Sequence, residues 1–204
     1  MKEMKEAKET GLILKAPAVL AILEGRKTQH RFFSKEFNGT SGLDSILRRF
    51  PKQYGCPLGQ TGDRVYVRET FAQHHRGWYQ QLAFRADGEE FEDAYGQLWE
   101  PKWQPSSQMP KELARIWLEI TDIRVERLQD ISEEDCLAEG VNLIAHGREG
   151  NFYSAFRNEQ HPKNWICPDD AFRELWESTY SGWDANPWVW ALKFKVLSTT
   201  GRAA

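Results

Sequence analysis

Apolar and polar residues alternate along some segments of the chain and recur at helical spacing in others. Alternation with a period of two is typical of a half-buried strand, and it is most regular at residues 63–69. The longest strand signal covers residues 115–127, and its phase shifts near Thr121, which predicts a β-bulge or bend. Three further apolar segments are predicted to be strands: residues 11–15, 79–85 and 188–196.

Helical spacing and helix-end residues predict three helices. The first covers residues 18–23 and ends at Gly25, a residue type that readily adopts the left-handed conformation found at helix ends. In the second helix Ser132 is the expected N-cap, an acidic residue stands at the third helical position, and Gly140 ends the helix. The third helix is amphipathic and N-capped, and it starts near Asp169.

The predicted elements amount to about five or six strands and three helices. Long irregular segments connect them, in place of regular crossover helices, which favours an α+β fold built on a mixed or antiparallel β-barrel. We expect one domain at residues 11–198, with polar tails at residues 1–10 and 199–204. Long loop insertions are expected at three places: about 38–62, 88–111 and 142–168.

Composition and charge exclude several classes of protein. The 204 residues are 40% hydrophobic and 13% aromatic, which is enough to build a core without disulfides or metal. The net charge of −3 excludes the basic surface of a non-specific nucleic-acid binder but allows a local basic cleft. The three cysteines are widely spaced, and no signal-like or membrane-length apolar segment occurs. We therefore expect a cytoplasmic protein with no membrane partner.

No metal and no cofactor are expected. The residues that could bind zinc lack the short spacings of a zinc finger or of a helical HExxH motif. The sequence also has no nucleotide-binding glycine loop and no Ser-His-Asp context. The residues that could bind zinc are His74, His75, His146, His161, Cys56 and Cys167.

The segment GRKTQHR at residues 25–31 carries the most information about function. It places a lysine, two arginines, a histidine and a hydroxyl directly after a predicted helix. In one interpretation these cations are solvated and complement the helix dipole, which stabilises by only ~0.3–1 kcal/mol. In the alternative interpretation they line a binding cleft, and Arg26, Thr28 and Arg31 then contact the ligand.

Four sequence blocks stand out in order along the chain: GRKT at 25–28, GDRVYVRETF at 62–71, ERLQDISEEDCLAEGV at 126–141 and WDANPWVWALKF at 183–194. Taken in this order they resemble the ASCH domain, and the chain is more closely similar to the long ASCH-like proteins of phages and prophages. The resemblance covers residues 12–197 and implies a PUA-like fold, a small pseudo-barrel with flanking helices. It further implies a cleft in which the GRKT lysine meets the helix that follows the long central strand. Many relatives are inferred to bind RNA, and small bacterial ones remove the acetyl group from N4-acetylcytidine with a lysine, a threonine and a glutamate.

The resemblance implies that Lys27 is the catalytic lysine and Glu139 the catalytic glutamate, with Arg31 as the arginine that closes the motif. His30 holds the position of the catalytic threonine. It either acts as a base, since its ordinary pKa lies near neutrality, or is a structural group. Thr28 does not simply replace the threonine, because adjacent residues of a strand point to opposite faces. The alternative for Glu139 is a solvated residue at the end of its helix.

Several functions fit these residues. As a hydrolase of an acylated nucleobase, the protein would use Lys27 as base or nucleophile and Glu139 as proton shuttle. As a ribonuclease, it would use a lysine and a histidine to stabilise phosphate charge. A non-enzymatic module would bind RNA, a nucleoside or a nucleotide, with Trp78 stacking on a base and Arg68 and Glu69 as further cleft residues. The alternative for Arg68 and Glu69 is an exposed ion pair.

A last class is a protein that binds a phage or host protein through its long loops. It would act in the cytoplasm of the host cell if a phage encodes it.

Overall fold

The computed structural model describes the following residues: 7–33, 55–76, 79–88, 90–145, 150–156 and 163–202. Within these ranges it contains nine β-strands and three α-helices, so the chain has the predicted mixed α+β composition.

Five strands form the main sheet: β1 (Glu9–Ile13), β2 (Gln29–Phe33), β3 (Arg64–Arg68), β6 (Trp117–Arg127) and β9 (Trp188–Ser198). Their spatial order is β1-β3-β6-β9-β2. The β1–β3 pair is parallel and the other three pairs are antiparallel. The sheet is therefore mixed, and β2, which carries part of the GRKTQHR segment, lies at one edge.

Two hairpins accompany the main sheet: β4 (Phe71–Arg76) with β5 (Tyr79–Phe84), and β7 (Asn142–Ala145) with β8 (Asn151–Ser154). Four of the nine described strands, β2, β4, β7 and β8, were not among the segments predicted to be strands. β4 contains four polar residues in six, and β7 and β8 have only four residues each, too few to establish a period of two.

The longest pair of strands is β6 with β9, and its register shifts between Ile120 and Asp122. This irregularity confirms the bulge predicted near Thr121. Such a bulge bends a strand and increases its local twist. Beyond it, β6 continues to Arg127, and the second helix follows after a short connection.

The three helices are α1 (Ala16–Leu23), α2 (Glu133–Ala138) and α3 (Pro168–Thr179). Ser132 caps α2 as predicted, because its hydroxyl accepts a hydrogen bond from the backbone N–H of Asp135 at 3.2 Å. The predicted side-chain cap of α3 is wrong. Cys167 at the N-cap makes no such bond, and the helix begins with Pro168, whose fixed φ suits the first helical position.

The core consists mainly of two apolar clusters. One lies between α1 and the main sheet and includes Val19, Ile22, Val65, Ile120 and Leu192. The other packs α2 and α3 against the start of β9 and includes Cys136, Phe172, Trp176 and Val189. The end of α1 and the end of α2 both lie beside β2, so the region that joins the two clusters contains the GRKTQHR segment.

None of the helices in the described ranges is long and apolar enough to cross a membrane. Trp78, His146 and His161 lie outside the described residues, as do most of the first predicted insertion and parts of both tails. The described part of the second insertion is held by ring contacts, as predicted from its many aromatic residues. Trp99 stacks on His74 with 4.6 Å between ring centroids, and Phe91 meets Trp103 at 5.5 Å.

Candidate functional site

The turn after α1 fixes the direction of Lys27. Gly25 has φ +73°, the left-handed conformation predicted for it. The backbone N–H groups of Arg26 and Lys27 then both donate to the carbonyl of Ala21, each at 2.9 Å. This compact turn directs Lys27 inward, where the residue is only 2% exposed. The solvated interpretation of the basic segment is therefore wrong for Lys27.

The end of α2 lies directly against this turn. The backbone N–H of Thr28 donates to the carbonyl of Ala138 at 2.8 Å. Gly140 has φ +102°, and a Cβ added there would come within 2.9 Å of the Cβ of Ala21. Glycine is therefore required at position 140 both for the backbone conformation and for the close approach of α1 and α2. This approach brings Glu139 to Lys27.

Lys27 and Glu139 form a buried ion pair. The Lys27 Nζ lies 2.7 Å from Oε2 of Glu139 and 2.8 Å from its backbone carbonyl oxygen. Each side chain is only 3% exposed. The alternative of a solvated Glu139 is therefore wrong. A second cation binds the same carboxylate, because Nη1 of Arg31 donates to Oε1 of Glu139 at 3.0 Å.

Arg31 connects this pair to two further carboxylates. Its side chain is fully buried, its Nε donates to Glu126 Oε1 at 3.0 Å, and its Nη2 donates to Asp135 Oδ2 at 2.9 Å. Arg124 binds both of these acids from the other side, with 2.6 Å between its Nε and Glu126 Oε2. Arg31 is thus held at three carboxylates, which fixes its guanidinium plane beside Glu139.

The network controls the charge of its members. Burial alone would raise the pKa of Glu139, but the positive charges of Lys27 and Arg31 outweigh it and lower that pKa to about 2. Burial lowers the pKa of Lys27 from its ordinary value, against the opposing attraction of Glu139. A lysine whose pKa is lowered has a larger neutral fraction, and a neutral amine can accept a proton.

His30 is buried next to the pair and is uncharged near neutral pH. It is 6% exposed, and its burial, together with the charge of Lys27, lowers its pKa to about 3. Its Nε2 has no hydrogen-bond partner among the described residues. A neutral imidazole with so low a pKa is a weak proton acceptor, which favours the structural interpretation of His30 over the catalytic base.

A cavity of about 450 Å³ borders this network. Small-molecule sites have volumes of about 300–1,000 Å³ and mainly apolar walls with a few polar groups. Lys27, His30, Arg31 and Glu139 are its buried polar groups, and Lys15, Ser178 and Thr179 also line it. Its apolar lining comes largely from α3, with Phe172, Leu175 and Trp176, and is completed by Phe156 and Tyr180.

A second cavity, of about 110 Å³, lies next to the first. Five residues line both cavities: Pro17, Ala18, Glu139, Phe156 and Leu175. Arg26 lines only the smaller one. Its Nε donates to Glu24 Oε2 at 2.7 Å, and its Nη1 donates to the carbonyl of Gly140.

Four of the sequence-predicted site residues line the large cavity, namely Lys27, His30, Arg31 and Glu139. Thr28, which the cleft interpretation placed at the ligand, is exposed, precedes β2 and lines neither cavity. Trp78 lies outside the described residues.

Arg68 and Glu69 lie in a different part of the molecule. Arg68 donates from Nε to the carbonyl of Met109 at 3.2 Å. Glu69 is buried and pairs with Arg115, through two bonds of 2.9 Å each. The two residues are not ion-paired with each other, and neither lines the two cavities beside Glu139.

Sequence reasoning missed the residues that complete the site. Trp176 was predicted to be a core residue, and it is one, but it also lines the large cavity. Phe172, Trp176 and Tyr180 recur every four residues and so share one face of α3 and its extension. That spacing was the available signal. The other omitted residues, Glu126 and Asp135, lie in the 126–141 block.

One group of residues in the described ranges could hold a metal ion. Cys167, Asp169 and Asp170 place one potential ligand atom each within 4.8 Å of one another, and all three are exposed. They lie at the start of α3, and none of them lines the cavities beside Glu139.

Comparison with known proteins adds no relative. No protein-family model matches the chain, and no match was found among curated proteins or solved structures.

Proposed function

We propose that the large cavity binds a nucleoside whose base carries an acylated exocyclic amine, and that Lys27 and Glu139 hydrolyse this amide. The chain would then be an ASCH-like protein with a PUA-like barrel, as its sequence blocks suggest. The observation that carries the proposal is the buried Lys27–Glu139 pair in the wall of a cavity that is otherwise mainly apolar. Charged groups are costly to bury. Buried groups with shifted pKa values and a specific charge partner, like Lys27 and Glu139, are common at functional sites.

The shape of the cavity favours a small planar ligand. Rings of Phe172, Trp176 and Tyr180 lie along one wall. Aromatic side chains contact flat heterocycles through offset or edge-on packing, which contributes about 0.5–1.5 kcal/mol beyond burial. A nucleobase has this form. An extended RNA strand would instead require a long basic groove with exposed cations, whereas Lys27 and Arg31 are 2% and 1% exposed.

The reaction consumes one water and yields an amine and a carboxylic acid. The reaction starts from the fraction of molecules in which Lys27 has lost its proton: the neutral amine takes a proton from water while the water oxygen forms a bond to the acyl carbon. The C=O electron pair moves onto the acyl oxygen, where the newly formed Lys27 ammonium stabilises the negative charge. That electron pair then re-forms the carbonyl, the C–N bond breaks, and Glu139 relays the proton from Lys27 to the departing nitrogen.

Binding without hydrolysis is the second candidate function. It is favoured because both oxygens of Glu139 are already engaged, Oε2 with Lys27 and Oε1 with Arg31. A carboxylate held in this way is a weak proton acceptor. The ribonuclease alternative receives no such support, since a neutral buried His30 offers no positive charge to a phosphate.

The decisive experiment is incubation with N4-acetylcytidine, followed by chromatography of cytidine and acetate. We expect turnover by the wild type and a loss of at least about 100-fold in Lys27→Met. The matched control is Lys195→Met, since Lys195 also pairs with a glutamate, at 2.8 Å, but is 56% exposed. Absence of turnover by the wild type, or equal turnover by Lys27→Met, would contradict the hydrolysis.

A second variant separates a hydrolase from a simple binding protein. His30→Thr places a hydroxyl at the position where the resemblance implies a catalytic threonine. If the wild type binds N4-acetylcytidine without cleaving it, we expect His30→Thr to gain turnover. Calorimetric titration of both proteins with N4-acetylcytidine then shows whether binding is retained while turnover changes.

A further inference from the structure

We infer that the smaller cavity holds the acyl group of the substrate and restricts it to short chains. This inference rests on the proposed function. It places the acyl group in the smaller cavity and the base in the larger one. In an amide the acyl group and the amine extend from the carbonyl carbon in different directions. A protein that cleaves a nucleobase amide therefore needs space on both sides of its reacting groups.

Glu139 lies between two such spaces. It lines the cavity of about 450 Å³ and the cavity of about 110 Å³. The aromatic rings of α3 and its extension, Phe172, Trp176 and Tyr180, line only the larger space. Phe156, which follows β8, borders both. With the base packed against those rings and the carbonyl at Glu139, the acyl chain extends into the smaller cavity.

Small side chains create the smaller cavity and also limit it. Ala18, Ala21 and Ala155 line it, together with Gly140. Ala21 and Ala155 are buried, at 3% and 4% exposure, so larger residues would occupy the space itself. Because the cavity is about a quarter of the size of its neighbour, it suits a chain of few carbons.

Arg26 closes the end that faces solvent. Its side chain is 25% exposed, and that of its partner Glu24 is 33% exposed. The guanidinium is held in place by Glu24 and by the carbonyl of Gly140. Removal of this side chain would open the smaller cavity to solvent and leave room for a longer acyl chain.

The test compares N4-acetyl-, N4-butanoyl- and N4-hexanoylcytidine on the full chain. For the wild type we expect kcat/KM to fall by at least about tenfold from acetyl to hexanoyl. The reason is that each methylene that a small pocket cannot accommodate lowers kcat/KM. Ala155→Val, which fills the cavity, should steepen this dependence. Arg26→Ala, which opens it, should raise the hexanoyl-to-acetyl ratio by about tenfold.

Arg173→Ala is the matched control, since Arg173 is an exposed arginine paired with Asp184 at 3.0 Å and lines neither cavity. Its hexanoyl-to-acetyl ratio should equal that of the wild type. The dissociation constants of the three compounds, measured by calorimetry, give an independent readout. Circular dichroism of each variant shows whether the fold is retained.

The outcomes separate the two proposals. If the wild type binds the compounds without cleaving them, hydrolysis is wrong, and the length limit is then judged from the dissociation constants. If chain length has no effect, or if Ala155→Val and Arg26→Ala do not shift the ratio in opposite directions, the acyl site is wrong. If the wild type neither binds nor cleaves any of the three, both proposals are wrong.

Discussion

Two buried glutamates of this molecule have pKa values shifted in opposite directions. Glu139 and Glu69 each have a side chain that is 3% exposed. Lys27 and Arg31 both bind Glu139, whose pKa falls to about 2. Burial raises the pKa of Glu69, and Arg115 only partly offsets this, because Asp87 shares the same guanidinium.

The two side chains are equally exposed, and the difference lies in the number of cations that contact each carboxylate. Two cations bind Glu139, whereas two carboxylates share one arginine at Arg115. The first arrangement leaves the carboxylate ionised and a lysine with lowered pKa at a cavity wall. The second fastens the start of β6 to the turn after β5 and has no place in the proposed chemistry.

The largest expected effect comes from removing the arginine of each cluster. Arg31→Met leaves three acids, Glu126, Asp135 and Glu139, without their shared partner, and should lower the free energy of unfolding by about 3–5 kcal/mol. Arg115→Met should cost about 1–3 kcal/mol, because Arg115 is partly exposed and Glu69 more readily takes up a proton. Urea unfolding at pH 7 measures both. Equal losses would show that the two clusters are energetically alike.

The pH dependence of stability should have opposite signs for the two glutamates. The folded pKa of Glu139 is about 2, below its ordinary 4.5, so its stabilisation is present above pH 4.5 and is lost as the pH falls towards 2. Its full size is on the order of 3 kcal/mol. The folded pKa of Glu69 is raised, so its contribution becomes more favourable as the pH falls towards 4.5.

Glu139→Gln and Glu69→Gln test this prediction, since the chemical change is the same. The free energy of unfolding of each variant is subtracted from that of the wild type between pH 7 and pH 2.5. We expect the difference for Glu139→Gln to shrink below pH 4.5 and the difference for Glu69→Gln to grow as pH 4.5 is approached from above. Parallel curves would contradict the opposite pKa shifts.

A smaller effect should come from the glycine that brings Glu139 to Lys27. Gly140→Ala forces a Cβ to within 2.9 Å of that of Ala21 at φ +102°, and should cost about 2–3 kcal/mol. Gly25→Ala has φ +73° with no atom within 4 Å of the added Cβ, so only backbone strain of about 1 kcal/mol is expected. If Gly140→Ala costs no more than Gly25→Ala, the close approach of α1 and α2 is not needed. Thermal unfolding gives the comparison.

Local sequence patterns predicted strands and a bulge, but they did not predict long-range contacts. The alternation at 63–69 and the phase shift near Thr121 gave strands and a bulge that the structure contains. The contact of Lys27 with Glu139 was expected only because of a family resemblance. No local pattern relates two residues more than 100 positions apart. The partners of Arg31 were missed for the same reason, since Glu126 and Asp135 meet it through tertiary packing.

Exposure was the property that the sequence predicted least well. Charged residues are mostly solvated, so the general expectation places Lys27, Arg31 and Glu139 in water. The turn at Gly25 and the contact at Gly140 overrule that expectation, and neither is visible in the composition of the segment. Glu69 was likewise grouped with Arg68 because they are adjacent, whereas its partner is Arg115 on another part of the chain.

The pairing of β2 with β9 has a consequence for the order of events during synthesis. Gln29 lies opposite Lys193, about 160 residues later in the sequence. Among the described strands, the one that carries His30 and Arg31 therefore has no sheet partner until the ribosome has made β9. At about 5–20 residues per second, this interval is on the order of ten seconds or more. During that time the basic segment lacks its pairing with β9, which lines neither cavity but fixes the strand that carries His30 and Arg31.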